Sequence, residues 1–252
     1  MLINPQLDKN LKTLRLSGMA VTLPARLQQC HEGGMSPLEF FETLIADELQ
    51  RRKDRLFDRR MKQARLNPNK RLDNFDWAFN AKIPKKNLCV LATTRFIAER
   101  ENALFIGPPG TGKSHLAQAI GLCAVQAGYH VLYYQIYELM DQIKAAELTG
   151  EWKSLLAKLL EADLMILDDL GMRRLSPDHA EEFLELIMRR YEKSSTIITS
   201  NRPLEDWAKI LGDAATTTAL LDRLMHHAEL VPFNGKSYRM EQTALAKNSR
   251  SK

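Results

Sequence analysis

The stretch ALFIGPPGTGKSHLAQAIGLCAVQAG, residues 103–128, constrains the fold of this chain more than any other. A short apolar run enters a glycine-rich turn and a helix-forming segment follows. Gly107, four further residues and Gly112-Lys113-Ser114 thus stand in the spacing and context of a phosphate-binding loop. The glycines let successive amides turn inward around phosphate oxygens, and the N-terminus of the next helix favours negative charge. The expected nucleotide-binding window is Gly107, Pro108, Pro109, Gly110, Thr111, Gly112, Lys113, Ser114 and His115. Within it Lys113 reaches the β- and γ-phosphates and the Ser114 hydroxyl ligates Mg2+.

Around this loop short apolar runs alternate with helical stretches. ALFIG, HVLYYQ, LMILDD, TIITSN and ELVPF read as strands, the pattern of an α/β fold with a parallel sheet covered by helices on both faces. Ligands sit at the carboxyl ends of such strands. Asp168 and Asp169 end LMILDD there, so Asp168 is expected to hold the metal and Asp169 to polarise the attacking water; the other reading is that they cap the next segment. Asn201, which closes TIITSN, either serves turn chemistry or orients that water.

The first seventy residues read as helices. Leu7, Leu11 and Leu14 share one helical face, and Gly18 is the expected stop. A second helix is stopped by Gly33-Gly34. Ser36, Pro37 and Glu39 form a capping box for a third, whose apolar positions are Leu38, Phe41, Ile45, Leu49, Leu56, Met61 and Ala64 and which Pro68 ends. Its second half is basic: residues 51–71 hold ten Lys or Arg against two Asp, net +8 in a chain of net +5, so the remainder is net negative. A local basic segment suggests a polyanion, and Arg51, Arg52, Arg55, Arg59, Arg60 and Lys62 are the candidate DNA contacts. The expected organisation is a small all-α N-terminal domain for DNA or partner binding at 1–70, an ATPase domain at 71–240 with 71–87 as linker, and a tail at 241–252.

No run approaches the roughly 18 apolar residues of a bilayer span and the N-terminus has no apolar leader, so a cytoplasmic protein with no membrane partner is expected. Cys30, Cys89 and Cys123 lack zinc-site spacing. A small-molecule kinase shares the phosphate loop, but no acceptor site is visible and the basic helix would go unexplained.

In order, GPPGTGKS, LMILDDLG, TSN and LLDRL resemble an AAA+ P-loop ATPase. With LKTLRLSGMA near the start and GKSYR near the end, the chain is similar to the IstB-type transposition helpers of insertion sequences, related to DnaC-type helicase loaders. The resemblance covers nearly all of residues 7–240. It implies ATP and Mg2+ as ligands, self-association into an ATP-dependent oligomer, DNA-stimulated hydrolysis, assembly on duplex DNA, and delivery of target DNA to a transposase that it stimulates. The alternative is a replicative helicase loader. By motif, Arg223 in LLDRL corresponds to the arginine finger that reaches a neighbour's γ-phosphate, beside Lys113, Asp168, Asp169 and Asn201 as catalytic residues. The base position usually holds Glu, and Asp169 is one methylene shorter, which implies slow hydrolysis. The 13 residues after Arg239 are too few for the usual helical lid, leaving Arg239 as a candidate nucleotide sensor.

Other residues carry two readings. Phe75 and Trp77 either flank adenine or pack the linker. Lys144, Lys153, Lys158 and Arg173-Arg174 either touch DNA or face solvent. His226-His227, adjacent on an expected helix, point apart and are read as structural.

Overall fold

The computed structural model describes residues 4–212 and 214–241; of the expected tail only Glu241 lies among them. The chain divides into two compact units, 1–59 and 60–252. The expected boundary at residue 70 is thus displaced, because Ala64 and Leu66 are buried in a core of the second unit.

The first unit holds α1 (Pro5–Thr13), α2 (Ser17–Gly33) and most of α3 (Pro37–Ala64), which runs on into the second. The capping box forms as expected: the Ser36 amide donates to Glu39 Oε2 at 2.8 Å and the Glu39 amide to Ser36 Oγ at 3.3 Å. Gly18 does not end α1. It lies inside α2, where a Cβ would stand 2.7 Å from Glu48 Cα, so its role is close helix approach. The left-handed residue between α1 and α2 is Arg15, φ 58°, and α3 stops at Ala64 before a left-handed Arg65, not at Pro68.

The expected apolar face of α3 holds only in its second half, where Leu56 and Met61 are half-buried and Ala64 is buried. Leu38 and Phe41 are 67% and 57% exposed and Ile45 and Leu49 are exposed, whereas Leu44 and Glu48 are buried. Glu48 accepts from the Gly18 amide at 2.6 Å, the Met19 amide at 3.2 Å and Arg52 Nε at 2.7 Å. It caps α2 from another helix, a task local sequence does not reveal. Burial alone would raise this carboxyl; the bonds from Arg52 and the two amides outweigh it and hold the group below its ordinary range.

The second unit is built on a five-stranded sheet in the order β2-β3-β4-β1-β5. Its strands are β1 (Asn102–Ile106), β2 (Val131–Gln135), β3 (Leu164–Leu170), β4 (Ser195–Ser200) and β5 (Ala228–Pro232), and every pairing is parallel. Period-2 alternation feeds two cores. Leu104, Met165, Leu167 and Ile198 face one, with residues of α7 (Ile136–Thr149), α8 (Trp152–Leu160), α9 (Pro177–Arg190), α10 (Trp207–Leu211) and α11 (Ala214–Met225). Phe105, Leu164, Ile166, Ile197 and Val231 face the other, with α4 (Lys85–Ala92), α5 (Arg95–Ala98) and α6 (Lys113–Gln126). Sequence order β1, β3 and β4 becomes spatial neighbourhood, so the loops leaving their carboxyl ends share one rim of the sheet.

Candidate nucleotide site

The phosphate loop leaves β1 at Ile106 and enters α6 at Lys113. Gly107 N–H donates to Ser200 O at 3.1 Å, pinning the loop to the end of β4. Gly110 and Gly112 have φ of 78° and 104°, in the left-handed region that favours glycine. The loop is also crowded: a Cβ on Gly107 would collide with Phe233 O, one on Gly110 with Ser237 Oγ and one on Gly112 with the Phe75 ring. Thr111 Oγ1 closes the turn on Pro108 O at 2.8 Å. Lys113 is 5% exposed, and its Nζ donates to Gly107 O at 2.6 Å and Pro108 O at 2.8 Å. Burial lowers its pKa, opposed by the charges of Asp169 and Asp168.

Asp168 and Asp169 stand beside this lysine but in different settings. Asp168 is 2% exposed and accepts from Tyr133 Oη at 2.6 Å and from the Thr199 hydroxyl. Asp169 occupies a left-handed conformation, φ 62°, where the β3–β4 register slips between Leu167 and Leu170. The irregularity re-aims its side chain, and Thr199 Oγ1 accepts the Asp169 amide at 3.0 Å. Burial first, and the Asp168 charge second, push the Asp169 carboxyl above its ordinary range, with Lys113, Arg239 and Lys70 pulling it back. Two carboxylates of different environment next to one lysine suit a metal-holding group and a base.

Asn201 lies at the same rim. Its Nδ2 contacts Met172 Sδ at 3.2 Å, and its buried Oδ1 has no hydrogen-bond partner. Such an orphan acceptor fits a site that takes a water, whose O–H can donate to it. His115 turns the other way: its Nε2 meets Arg71 O at 2.8 Å and its ring packs edge-on to Phe75 at 5.3 Å. It anchors the segment expected to be a linker.

That segment is a strap. Asn67 N–H is bonded to Gln118 Oε1 at 3.0 Å, and Phe75 covers Gly112 and packs against Trp77 at 4.8 Å. Asn80 then clasps the GKSYR segment, donating to Lys236 O at 3.0 Å and accepting the Lys236 amide at 3.1 Å. Tyr238 N–H reaches Gly110 O at 3.0 Å, and its ring meets Phe79 at 5.0 Å. Arg239 follows, near enough for its charge to act on both Lys113 and Asp169. Residues far apart in sequence therefore close on the loop from two sides.

Sequence reasoning missed Tyr133, Thr199, Asn80 and Lys70. Thr199 alone had a signal, as a hydroxyl after the two isoleucines of β4, near the end of the run that closes at Asn201.

Arg223 is not at this rim. It lines a small pocket with Asn102, Tyr191, Ser194 and Thr196, at the amino ends of β1 and β4, and lies over the Tyr191 ring at 5.3 Å beside Asp222. A strand length, about 15 Å, separates the two ends of β1. The basic residues fall on α3, where Arg51, Arg55, Arg59 and Lys62 recur at one-stripe spacing and are exposed, Arg60 is half-buried, and Arg52 is engaged by Glu48. Among the described residues no helix is long and apolar enough to cross a membrane.

Known proteins resemble this chain in sequence and in fold. The chain is 35% identical to a Pseudomonas aeruginosa protein named for ATP binding in insertion sequence IS21, over 94% of this chain and 89% of that one. It is 33% identical to a Geobacillus stearothermophilus protein named in the same way for IS5376, over 92% of each chain. The crystal structure of the DnaC helicase loader superposes with a TM-score of 0.54 at 25% identity, covering 66% of this chain and 98% of that one. AMPPCP-bound DnaA from Aquifex aeolicus, at 22% identity, matches in fold with a TM-score of 0.57, covering 73% of this chain and 56% of that one. The model of the IstB-like ATP binding protein family matches residues 9–246. A phosphate loop, a paired-acid strand and a polar strand end on an AAA+ sheet, matched over nearly the whole chain by that family, make this protein an ATPase of the IstB-like ATP-binding family.

Proposed function

We propose that this ATPase assembles on duplex DNA in an ATP-dependent oligomer, delivers target DNA to the transposase of an insertion sequence and stimulates it. The observation that carries this reading is the remoteness of Arg223 from the phosphate loop of its own chain. An arginine at the amino ends of the strands meets a γ-phosphate only if a second copy brings one, so the site is composite and hydrolysis reports assembly. Ser114 and Asp168 would hold Mg2+, which screens the phosphate charge when bound; the crowded glycine cradle and the buried acid beside Lys113 fit that pair. Asp169 takes the proton of the attacking water, Asn201 orients that water and Lys113 neutralises the β- and γ-phosphates.

Two surfaces support the partners. On the carboxyl rim a cavity of about 160 Å³ is lined by Arg173, Arg174, Arg202 and Lys209 against Asp206 alone, suited to backbone phosphates. In the first unit Arg51, Arg55 and Arg59 on α3 suit a polyanion, and the exposed Leu38, Phe41, Ile45 and Leu49 suit a protein partner. The likeness to the DnaC helicase loader favours a second reading, a loader whose helices grip a helicase; pull-downs with transposase and with helicase separate the two.

The test of the composite site mixes two inactive proteins. Arg223→Ala keeps the loop and Lys113 but offers no finger, and Lys113→Ala has the opposite defect. Steady-state phosphate release with duplex DNA is expected to recover at intermediate mixing ratios. No recovery despite demonstrated co-assembly sinks the reading of Arg223.

A further inference from the structure

His226 and His227 contradict the expectation that they point apart. α11 ends at Met225, so the two histidines lie in the turn before β5, where the helical angle between neighbours no longer applies. Their rings converge to 4.0 Å between centroids. Both reach one carboxylate: His226 Nδ1 and His227 Nε2 each stand 3.8 Å from Glu192 Oε1. One ligand atom from each of the three residues lies within 4.8 Å of the others.

We propose that Glu192, His226 and His227 form a binding site for a divalent transition-metal cation of the zinc class. Two imidazole nitrogens and one carboxylate oxygen are three ligands of a tetrahedral ion, and water completes the set. At metal–ligand distances of about 2.0–2.1 Å such ligands stand roughly 3.3 Å from one another. The two 3.8 Å separations need to close by about half an ångström, and the third pair lies within 4.8 Å; exposed side chains make such changes by rotation. Neutral imidazole is the form that ligates metal. The ligand set prefers zinc-class ions to Mg2+, whose ligands are oxygens, so the site does not compete with the nucleotide's metal.

Tyr191 Oη stands 2.6 Å from His226 Nδ1, so its hydroxyl competes with a metal for that nitrogen and is displaced when the ion binds. The Arg223 guanidinium lies over the same tyrosine. A dication at the cluster and the arginine oppose each other as like charges, and by reciprocity each weakens the other's placement by the same factor. Zinc-class ions would thus bias the residue proposed to act on a neighbour's nucleotide. This link to hydrolysis rests on the role proposed for Arg223; the metal site does not.

The experiment titrates Zn2+ into the nucleotide-free full chain by calorimetry in a non-coordinating buffer. One equivalent is expected to bind, with affinity falling on acidification as the imidazoles take protons. His226→Ala, His227→Ala and Glu192→Gln are each expected to weaken binding more than about tenfold. The three positions are exposed, so the variants should keep the parent's thermal midpoint, which is measured alongside. Arg223→Ala is expected to bind Zn2+ more tightly. Absence of binding by the parent, or equal affinity in a His226→Ala/His227→Ala double variant, overturns the site. Equal affinity in Arg223→Ala overturns the coupling alone, and failure of the mixing experiment above leaves both measurements intact.

Discussion

Asp169→Asn separates two costs carried by one residue. The backbone there is left-handed, φ 62°, a conformation that the short polar side chains of Asp and Asn both tolerate, so the substitution leaves this cost unchanged. The carboxyl is moreover pushed up by burial and by Asp168, so its ionised form opposes folding. The amide has nearly the same shape, carries no charge and leaves the bond from the Asp169 amide to Thr199 intact. A gain of about 1 kcal/mol from removing the buried charge corresponds to roughly 2–4 °C in thermal midpoint for a unit of this size. The sign with pH follows from the raised value. Below the unfolded pKa, about 4, both states hold the proton and parent and variant should match. As pH rises through the raised folded value the parent alone loses stability, so the gap opens and then stays constant. Hydrolysis should meanwhile fall by roughly 10²–10⁴-fold while nucleotide affinity is kept. Thermal unfolding from pH 4 to 8, with phosphate release at saturating ATP, checks both halves. A lower midpoint or a gap that ignores pH refutes the charge argument, unchanged turnover refutes the base, and lost nucleotide binding makes Asp169 a ligand.

Lys113→Ala should abolish binding of a fluorescent ATP analogue and with it assembly on DNA; unchanged affinity would remove the lysine from the phosphate site. Neutralising Arg51, Arg55, Arg59 and Lys62 together should flatten the salt dependence of DNA binding by about 0.9 in logarithmic slope for each phosphate no longer neutralised, and a slope equal to the parent's means that the stripe faces something else. Arg52→Gln is expected to act on stability instead, because its partner is the buried Glu48, and a thermal melt beside the same salt titration tells the two effects apart. Glu48→Ala strands two helix amides and a guanidinium, so chemical denaturation should show a loss of about 1–3 kcal/mol; no loss would mean that water replaces the carboxylate.

The motifs of the candidate site were legible where they depend on neighbours in sequence. Gly107 to Ser114 is one turn between a strand and a helix, the capping box at Ser36 and Glu39 spans four residues, and five apolar runs alternating with helices specify a parallel sheet, because backbone conformation and period are local properties. The paired acids were legible for the same reason, since a polar end to an apolar strand needs no partner to be seen. What lay beyond the sequence is what depends on which segments meet. Gly18 ends nothing because Glu48, thirty residues on, lies against it. The linker is a strap because Phe75 finds Gly112 and Asn80 finds Lys236, a residue 156 positions away. His226 and His227 converge because their helix stops one residue earlier and Glu192 arrives from another element. Arg223 stands a strand length from its own phosphate loop because β1 begins beside it and ends at the loop. Local patterns set what each segment can be; only the packing of the sheet, in an order different from that of the chain, decided which side chains share a site.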